Sequence, residues 1–600
     1  SGLRLLPYDK PFNFSDKCNE GAEAATGDRL IFYNDDVRPR DADWVQEMIE
    51  PLQNPAVGAV SPKLLYETGK IQHAGLVTGV RGLIGTAFHQ QPADSTMHVN
   101  FAQSMRNVSA LSGACLAVRK ADFLRVGGFD AVNTPVSHSD IDLCFKIREA
   151  GLRCVYTPFT TLLHAGHASL VHEEKNGKAT AKRDKSSIYL LKRWGGDVTH
   201  DPFYNDNMRD WIYADSPTPI RMFGRNNPSA SDGLDLLFIS HDLSLSGAPI
   251  LLLHLARWCR ENGVFATVVA PEDGPLRAQY EAAGIPIILD PLIMTEHQSF
   301  RNLLRNFDAV LANTIRGWPA IRAAKHEGVP GLWWLHETEV GEHFLREDAQ
   351  LRMSIPQADV IFAPSERTAS VYRPFTDNAP RRIPYGIPDL GRPPDQPEND
   401  GRRMRFLLLG SVEPRKGQDV FAEALRRLPR DVQEQAEFHI AGRVMDPEFA
   451  AKVQALAEDV ANLTISGALD HNDALALLNE TDVLVCASRD EAMPVTILEA
   501  MCFGKTILST SVGGLPEYID SGANGLLVKP EQPDELAAAI GRLITDSEAM
   551  RKLGTNARAT FEREFGMDRF GRDFIALVHE MIAAKRGTNA GSTTALPTLA

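Results

Sequence analysis

From residue 234 to about residue 530, short apolar runs alternate with amphipathic stretches, and that rhythm restricts the fold more than any other feature of the sequence. The runs at 234–240, 265–270, 285–290, 308–314, 331–336 and 359–364 have strand length, with segments of helical spacing between them. Strands that alternate with helices form parallel sheets, because each crossover helix carries the chain back to start the next strand in the same direction. A stretch rich in Pro, Gly, Asp and Arg at 383–403 interrupts the rhythm, which restarts at 404–410, 437–441, 463–466, 483–487, 505–510 and 525–528. An α/β architecture of two Rossmann-like domains, 234–385 and 386–586, facing across a cleft and joined by a hinge, is therefore expected. A last helical pattern covers 569–585, and the Gly/Ser/Thr/Ala/Pro tail at 587–600 holds too little apolar surface to order itself.

Residues 1–207 follow a different pattern and form a separate small α/β unit, joined to the rest by a polar linker at 208–233. The strand expected at 29–33 runs straight into Asn34-Asp35-Asp36, and further strands are expected at 114–118 and 154–157. The 600 residues exceed what one core supports, since single cores stop growing at roughly 250–300 residues. A formal charge of −15 excludes a protein that grips nucleic acid over a broad surface. The seven cysteines lack CxxC spacing and read as reduced core thiols. With no long apolar run and no basic-then-apolar leader, a cytoplasmic location is expected.

Chemistry concentrates at strand ends in the C-terminal half. Glu491-Ala-Met-Pro-Val-Thr-Ile-Leu-Glu499 follows the strand at 483–487, placing Glu491 in the loop and Glu499 within the next helix. Ligands of open α/β sheets bind at that end of the strands. Pro494, Val495 and Thr496 open the helix, and the backbone N–H groups of 495–497 suit a diphosphate through hydrogen bonds and the helix dipole. Gly410-Ser411-Val412-Glu413-Pro414-Arg415-Lys416-Gly417 follows another strand, as do Ser511-Val512-Gly513-Gly514 and His336-Glu337. Ser244-Leu245-Ser246-Gly247 forms a glycine loop after the strand at 234–240.

Together these segments resemble the retaining glycosyltransferases of family 4, which have the GT-B fold, over about 234–585. The resemblance implies that Glu491 contacts the transferred sugar and Glu499 the nucleotide ribose. It also implies that Lys416 neutralises the leaving diphosphate, that Gly513 and Gly514 turn beside the donor, that Gly247 approaches the phosphates and that His336 lies near the donor sugar. Many relatives carry arginine where this chain has Ser411, so either Arg415 supplies the second positive charge or the diphosphate is held less tightly. This half is expected to need no metal or other cofactor.

In the front part, Asn34-Asp35-Asp36, Gln72-His73-Ala74-Gly75, Ser112-Gly113-Ala114-Cys115, Ser139-Asp140-Ile141-Asp142 and His164 resemble family 2 glycosyltransferases of the GT-A fold. The resemblance implies that Asn34 and Asp36 hold Mg²⁺ or Mn²⁺, that His164 adjoins the metal and that Asp140 is the general base of an inverting transfer. Two departures stand out. Ser139 replaces the usual glutamate, and the first strand-helix units of the GT-A fold are absent, so that the front module is expected to begin mid-domain.

The combined reading is a bifunctional glycosyltransferase of O-antigen or capsule-type polysaccharide synthesis, a partial GT-A-like module fused to a GT-B enzyme. Its partners are a nucleotide-sugar donor and a glycan or lipid-linked glycan acceptor, the latter bringing peripheral membrane contact. One rival keeps only the GT-B half catalytic, with the front module a scaffold, and another makes the GT-B half a sugar-nucleotide epimerase.

Overall fold

In the computed structural model of the protein, the described residues are 4–165, 185–209, 220–228, 233–391 and 402–591. Much of the expected linker, about half of the expected hinge and the tail from residue 592 lie outside them. The chain divides into two compact units. One comprises Ser1–Leu237, Gly263–Asp273 and Arg277–Asp308, the other Phe238–Asn262, Gly274–Leu276 and Ala309–Ala600. The division therefore falls downstream of the expected linker, inside the strand Asp235–Ile239.

The first unit is built on a mixed sheet. Strands β1 (Arg29–Tyr33), β2 (Val37–Pro39), β3 (Val57–Leu65), β4 (Cys115–Arg119) and β5 (Arg153–His164) are ordered β1-β4-β3-β5-β2. Only the β3/β5 pair is parallel, and β1/β4, β3/β4 and β2/β5 are antiparallel. Every residue of β3 is buried, as a central strand covered on both faces requires. The helix α1 (Ser139–Glu149) buries Ile141, Leu143, Phe145 and Ile147. Part of the expected linker is strand, since Arg221–Phe223 pairs antiparallel with Ile287–Leu289. Period-2 alternation is unreadable over three residues, which is why the pattern there looked like linker.

The second unit contains the second expected lobe of the cleft and part of the first, whose strands Phe265–Ala270 and Ile287–Leu289 fall in the first unit. Its first lobe has parallel strands β6 (Ala309–Asn313), β7 (Gly331–Trp334), β8 (Val360–Ala363) and β9 (Arg381–Arg382) in that order. Flanking them are the helices α2 (Gly247–Glu261), α3 (Glu339–Glu347) and α4 (Glu366–Tyr372). Its second lobe is an all-parallel sheet of β10 (Met404–Leu409), β11 (Ala436–Ala441), β12 (Leu463–Ser466), β13 (Val483–Cys486), β14 (Thr506–Thr510) and β15 (Leu526–Val528). The strand order is β12-β11-β10-β13-β14-β15. That order reverses direction between β10 and β13, the crevice at which doubly wound sheets bind ligands. The strands lie within two residues of the positions that periodicity predicts.

The closing helix α8 (Met567–Gly591) departs from expectation. It belongs by packing to the first lobe: Phe570 lies 5.1 Å from the Trp334 ring, Phe574 lies 6.1 Å from Phe238, and Trp258 Nε1 donates to Asp568 at 2.8 Å. It also runs past the expected tail boundary at 587, to Gly591.

Candidate active site

The carboxyl ends of β10 and β13 bring the strongest charges together. The loop after β13 turns into α7 (Val495–Cys502), with Pro494 as N-cap. In that loop the Glu491 carboxylate, 7% exposed, receives hydrogen bonds from Lys416 Nζ, from Ser488 Oγ at 3.1 Å and from Arg415 Nη1 at 3.3 Å. Burial pushes its pKa up, but the charges of Lys416 and Arg415 and the hydrogen bonds from Lys416 and Ser488 outweigh that, leaving it below the usual carboxylate value. Glu491 is thus a buried, ionised acceptor held by two cations contributed from 75 and 76 residues away.

Arg415 also donates to the Asp490 carbonyl at 3.2 Å and to Glu413 Oε1 at 3.0 Å, while Ser411 Oγ donates to Glu413 at 2.7 Å. Arg415 thus joins Lys416 on Glu491, and Ser411 orients the acid that braces Arg415. Gly417 closes the loop with φ +69°, and a Cβ there would sit 2.0 Å from the Ala487 carbonyl oxygen.

Gly513 and Gly514 pack against the same loop. Gly513 has φ +51°, and a Cβ on it would lie 1.5 Å from the Glu491 carbonyl oxygen. A Cβ on Gly514 would meet the Ala492 oxygen at 2.5 Å and Ser365 Cβ at 2.6 Å. Both glycines are required by the close approach of the backbone carrying Glu491. Gly247 is different. Facing Val495 from the start of α2, it could carry a Cβ 3.5 Å from Val495 Cγ2, an ordinary contact. Of the three amides expected to be open at the start of α7, that of Ile497 donates to the Pro494 carbonyl at 3.1 Å, leaving those of Val495 and Thr496 for a ligand.

Glu499 stands apart from Glu491. Its carboxylate faces His471 Nε2 at 3.9 Å, and burial raises its pKa to about 8. His336 is locked on both sides: Nε2 donates to Asn313 Oδ1 at 2.7 Å, and Nδ1 accepts from Tyr385 Oη at 2.6 Å. Asn313 in turn donates to the Ala248 carbonyl at 3.0 Å. Burial, with a lesser contribution from His241, lowers the His336 pKa to about 3 and fixes a neutral ring.

Two acids escaped the sequence reading. Asp490 accepts from Thr338 Oγ1 at 2.5 Å and shares a hydrogen bond with Glu339 of α3, which Arg367 also holds at 2.6 Å. Burial and then Glu339 raise Asp490 to about 6. Against the upward push of burial, Asp490, Arg367 and Thr338 lower Glu339 to about 2. Asp490 adjoins Glu491 in sequence, which was its only signal; its partners are roughly 150 residues away.

In the first unit, Asp36 Oδ1 meets His164 Nε2 at 3.1 Å, and His164 Nδ1 bonds Gln72 Oε1 at 2.6 Å. With Nδ1–H donating to Gln72, a neutral ring aims its remaining lone pair at a carboxylate oxygen, so a cation, either a proton or a metal, satisfies the pair. Asn34 follows β1, and its backbone N–H donates to the Ala114 carbonyl at 3.0 Å. Asp140 accepts from the Gly113 amide at 2.7 Å and from that of Ile141 at 2.9 Å. Burial outweighs these bonds and raises its pKa, so Asp140 holds a proton more readily than an exposed cap would.

Residues 393–560 match the family model described as glycosyl transferases group 1, and residues 232–380 match that of glycosyl-transferase family 4. The C-terminal part is a pair of glycosyltransferase domains. Neither matched segment includes residues 1–207. The glycosyltransferase fold is GT-B: sucrose-phosphate synthase from Thermosynechococcus elongatus superposes with TM-score 0.51 and 20% identity, over 59% of this chain and all of that one. Anabaena HepE in complex with UDP-glucose superposes with TM-score 0.50 and 20% identity, over the same shares. Among curated proteins, an uncharacterized protein of Sinorhizobium fredii is 36% identical over 34% of this chain and 23% of its own length. The O-antigen biosynthesis protein RfbC of Myxococcus xanthus is 33% identical over 38% of this chain and 18% of its own. The chain thus spans less than a quarter of either relative. Among the described residues no helix is long and apolar enough to cross a membrane.

Proposed function

We propose that the GT-B part transfers a sugar, with retention, from a nucleotide-sugar donor to a glycan or lipid-linked glycan acceptor in polysaccharide synthesis. The observation that carries this reading is the convergence of Lys416 and Arg415 on buried Glu491 beside the open amides of α7. A departing nucleoside diphosphate needs positive charge where it leaves. Two cations and a helix N-terminus, held in a water-poor crevice, supply it without reorganisation. Glu491, kept ionised, lies where the sugar bound to that diphosphate would sit, and its charge favours the oxocarbenium character of the transition state. Neutral His336 supplies a fixed wall close to the Gly247 loop. The UDP-glucose complex of HepE and the O-antigen assignment of RfbC favour this chemistry.

For the front module the same reading assigns an inverting GT-A-type transfer, with Asp36, His164 and Asn34 holding Mg²⁺ or Mn²⁺ and Asp140 as base. Asp36, His164 and Asn34 would hold the cation, which would supply positive charge toward the donor diphosphate, and Asp140 would take the acceptor proton. Acceptors linked to lipid would bring the enzyme to the inner face of a membrane. Transfer assayed with E491A and D140A separates the modules. The proposal predicts that each variant loses one linkage. Loss of all transfer in E491A alone makes the front module a scaffold, and full activity in E491A overturns the assignment of the GT-B site.

A further inference from the structure

The donor site leaves three polar groups unused at the far side of α7. Glu499, one turn into that helix, is 6% exposed, and the ionisable partner given to it is His471 at 3.9 Å, beyond hydrogen-bond reach. His471 opens the helix α6 (His471–Asn479), and His254 comes from the opposite lobe on α2. The Nδ1 atom of His254 is buried and has no hydrogen-bond partner among the described residues. The first residue of α2, Gly247, faces the first residue of α7, Val495, so the three helices converge on one end of the crevice. Buried polar groups are paired in the great majority of cases, and an acid and an imidazole left without partners mark a place built for something else to complete.

We propose that His471 and His254 are positioning residues for Glu499, fixing its carboxylate so that both oxygens accept from the vicinal hydroxyls of the donor ribose. This deepens the donor-site reading above and rests on it. A carboxylic acid has one donor and one good acceptor, whereas a carboxylate presents two acceptor oxygens to a diol. Free Glu499 keeps its proton because burial holds its pKa near 8. Seating the diol requires the proton to leave Oε1, and His471 Nε2 is the base within one short rearrangement. The O–H bond of Glu499 breaks, an N–H bond forms on His471, and the resulting imidazolium faces the carboxylate.

Burial lowers the His471 pKa and Asp470 beside it offsets this only in part, so the proton leaves Glu499 only as the hydrogen bonds of the diol come to favour the carboxylate. His254 stays neutral, its pKa near 3 through burial, then Arg257 and His471, so it adds a hydrogen-bonding group and no second positive charge. On the helix Ser547–Glu564, which packs against α7, Arg558 is committed to Asp389 and Glu562.

The test is titration calorimetry of the full chain with UDP, GDP and ADP and their 2′,3′-dideoxy counterparts, from pH 6.5 to 9. For whichever ribonucleotide binds, H471Q should lose about ten-fold in affinity at pH 7, the equivalent of one charge-assisted hydrogen bond, and recover toward pH 9. Its affinity for the dideoxy form should not change. E499Q should show the same loss at every pH, and H254Q a smaller loss of the same pH shape. Wild-type affinity of H471Q at pH 7, or a loss equal for both sugars and flat with pH, overturns the proposal. If none of the three nucleotides binds wild-type protein while its melting is normal, the donor-site reading itself fails and this inference falls with it.

Discussion

Lys416 and Glu491 form a hydrogen-bonded ion pair across 75 residues of sequence, with side-chain exposures of 19% and 8%. Removing one member of such a pair leaves a buried charge, but here Arg415 and Ser488 remain on Glu491. K416M should therefore destabilise by about 1–3 kcal/mol, less than for a solitary buried pair. The folded pKa of Glu491 lies below its ordinary 4.5, so its contribution is present above pH 4.5 and disappears as the pH falls through the folded value. Urea midpoints between pH 3 and 7 should show K416M losing most relative to wild type at the neutral end.

The glycines discriminate between required and tolerated positions. G513A places a Cβ 1.5 Å from the Glu491 oxygen at φ +51°, and G571A places one 2.2 Å from the Trp258 ring. Each should cost about 2 kcal/mol or more, the first also displacing Glu491. G247A should change the melting temperature little, since its Cβ meets only Val495 at 3.5 Å. Differential scanning calorimetry of the three variants, with transfer assays on G513A, checks the order.

Glu499 should impose a pH dependence of opposite sign to that of Glu491. Its folded pKa, about 8, lies above its ordinary 4.5, so it contributes fully below pH 4.5 and its contribution falls as the pH rises toward 8. The slope is at most about 1.4 kcal/mol per pH unit. E499Q should flatten that slope and melt higher than wild type at pH 8, a gain that accompanies lost donor binding.

The acid pair Asp490–Glu339 should respond to pH around the Asp490 value of about 6. One proton shared between them holds until about pH 6, above which two anions face each other, offset by Arg367 on Glu339 and by Thr338 on Asp490. Hydrogen exchange of the α3 amides should therefore accelerate between pH 5 and 8 beyond the intrinsic base-catalysed increase. D490N should remove that excess, because its amide can donate to Glu339 at every pH.

Much of this site was legible because its residues sit at strand ends, which alternation of apolar and amphipathic segments locates directly. Glu491, Lys416, Gly513 and His336 were found that way. Asp490, Glu339 and His471 were not, since each lies in a segment whose local pattern is satisfied without reference to its partner. Gly247 was located that way too, but whether it needs a bare backbone depends on where the facing helix starts, and there a Cβ would meet Val495 Cγ2 at an ordinary 3.5 Å.

The sequence by itself determined the strands and helices of the two lobes and the identity of the charges at their ends, because period and turn chemistry act over a few residues. Only the tertiary structure decided that Arg415 joins Lys416 on Glu491, that Glu499 keeps a separate company with His471, and that the last helix returns to the first lobe. Those outcomes depend on burial and on approaches between segments from 28 residues apart, as for His471 and Glu499 (499 minus 471), to more than 300, as in the bond from Trp258 to Asp568. A local pattern carries no information about which distant backbone will arrive, or how much water it will exclude.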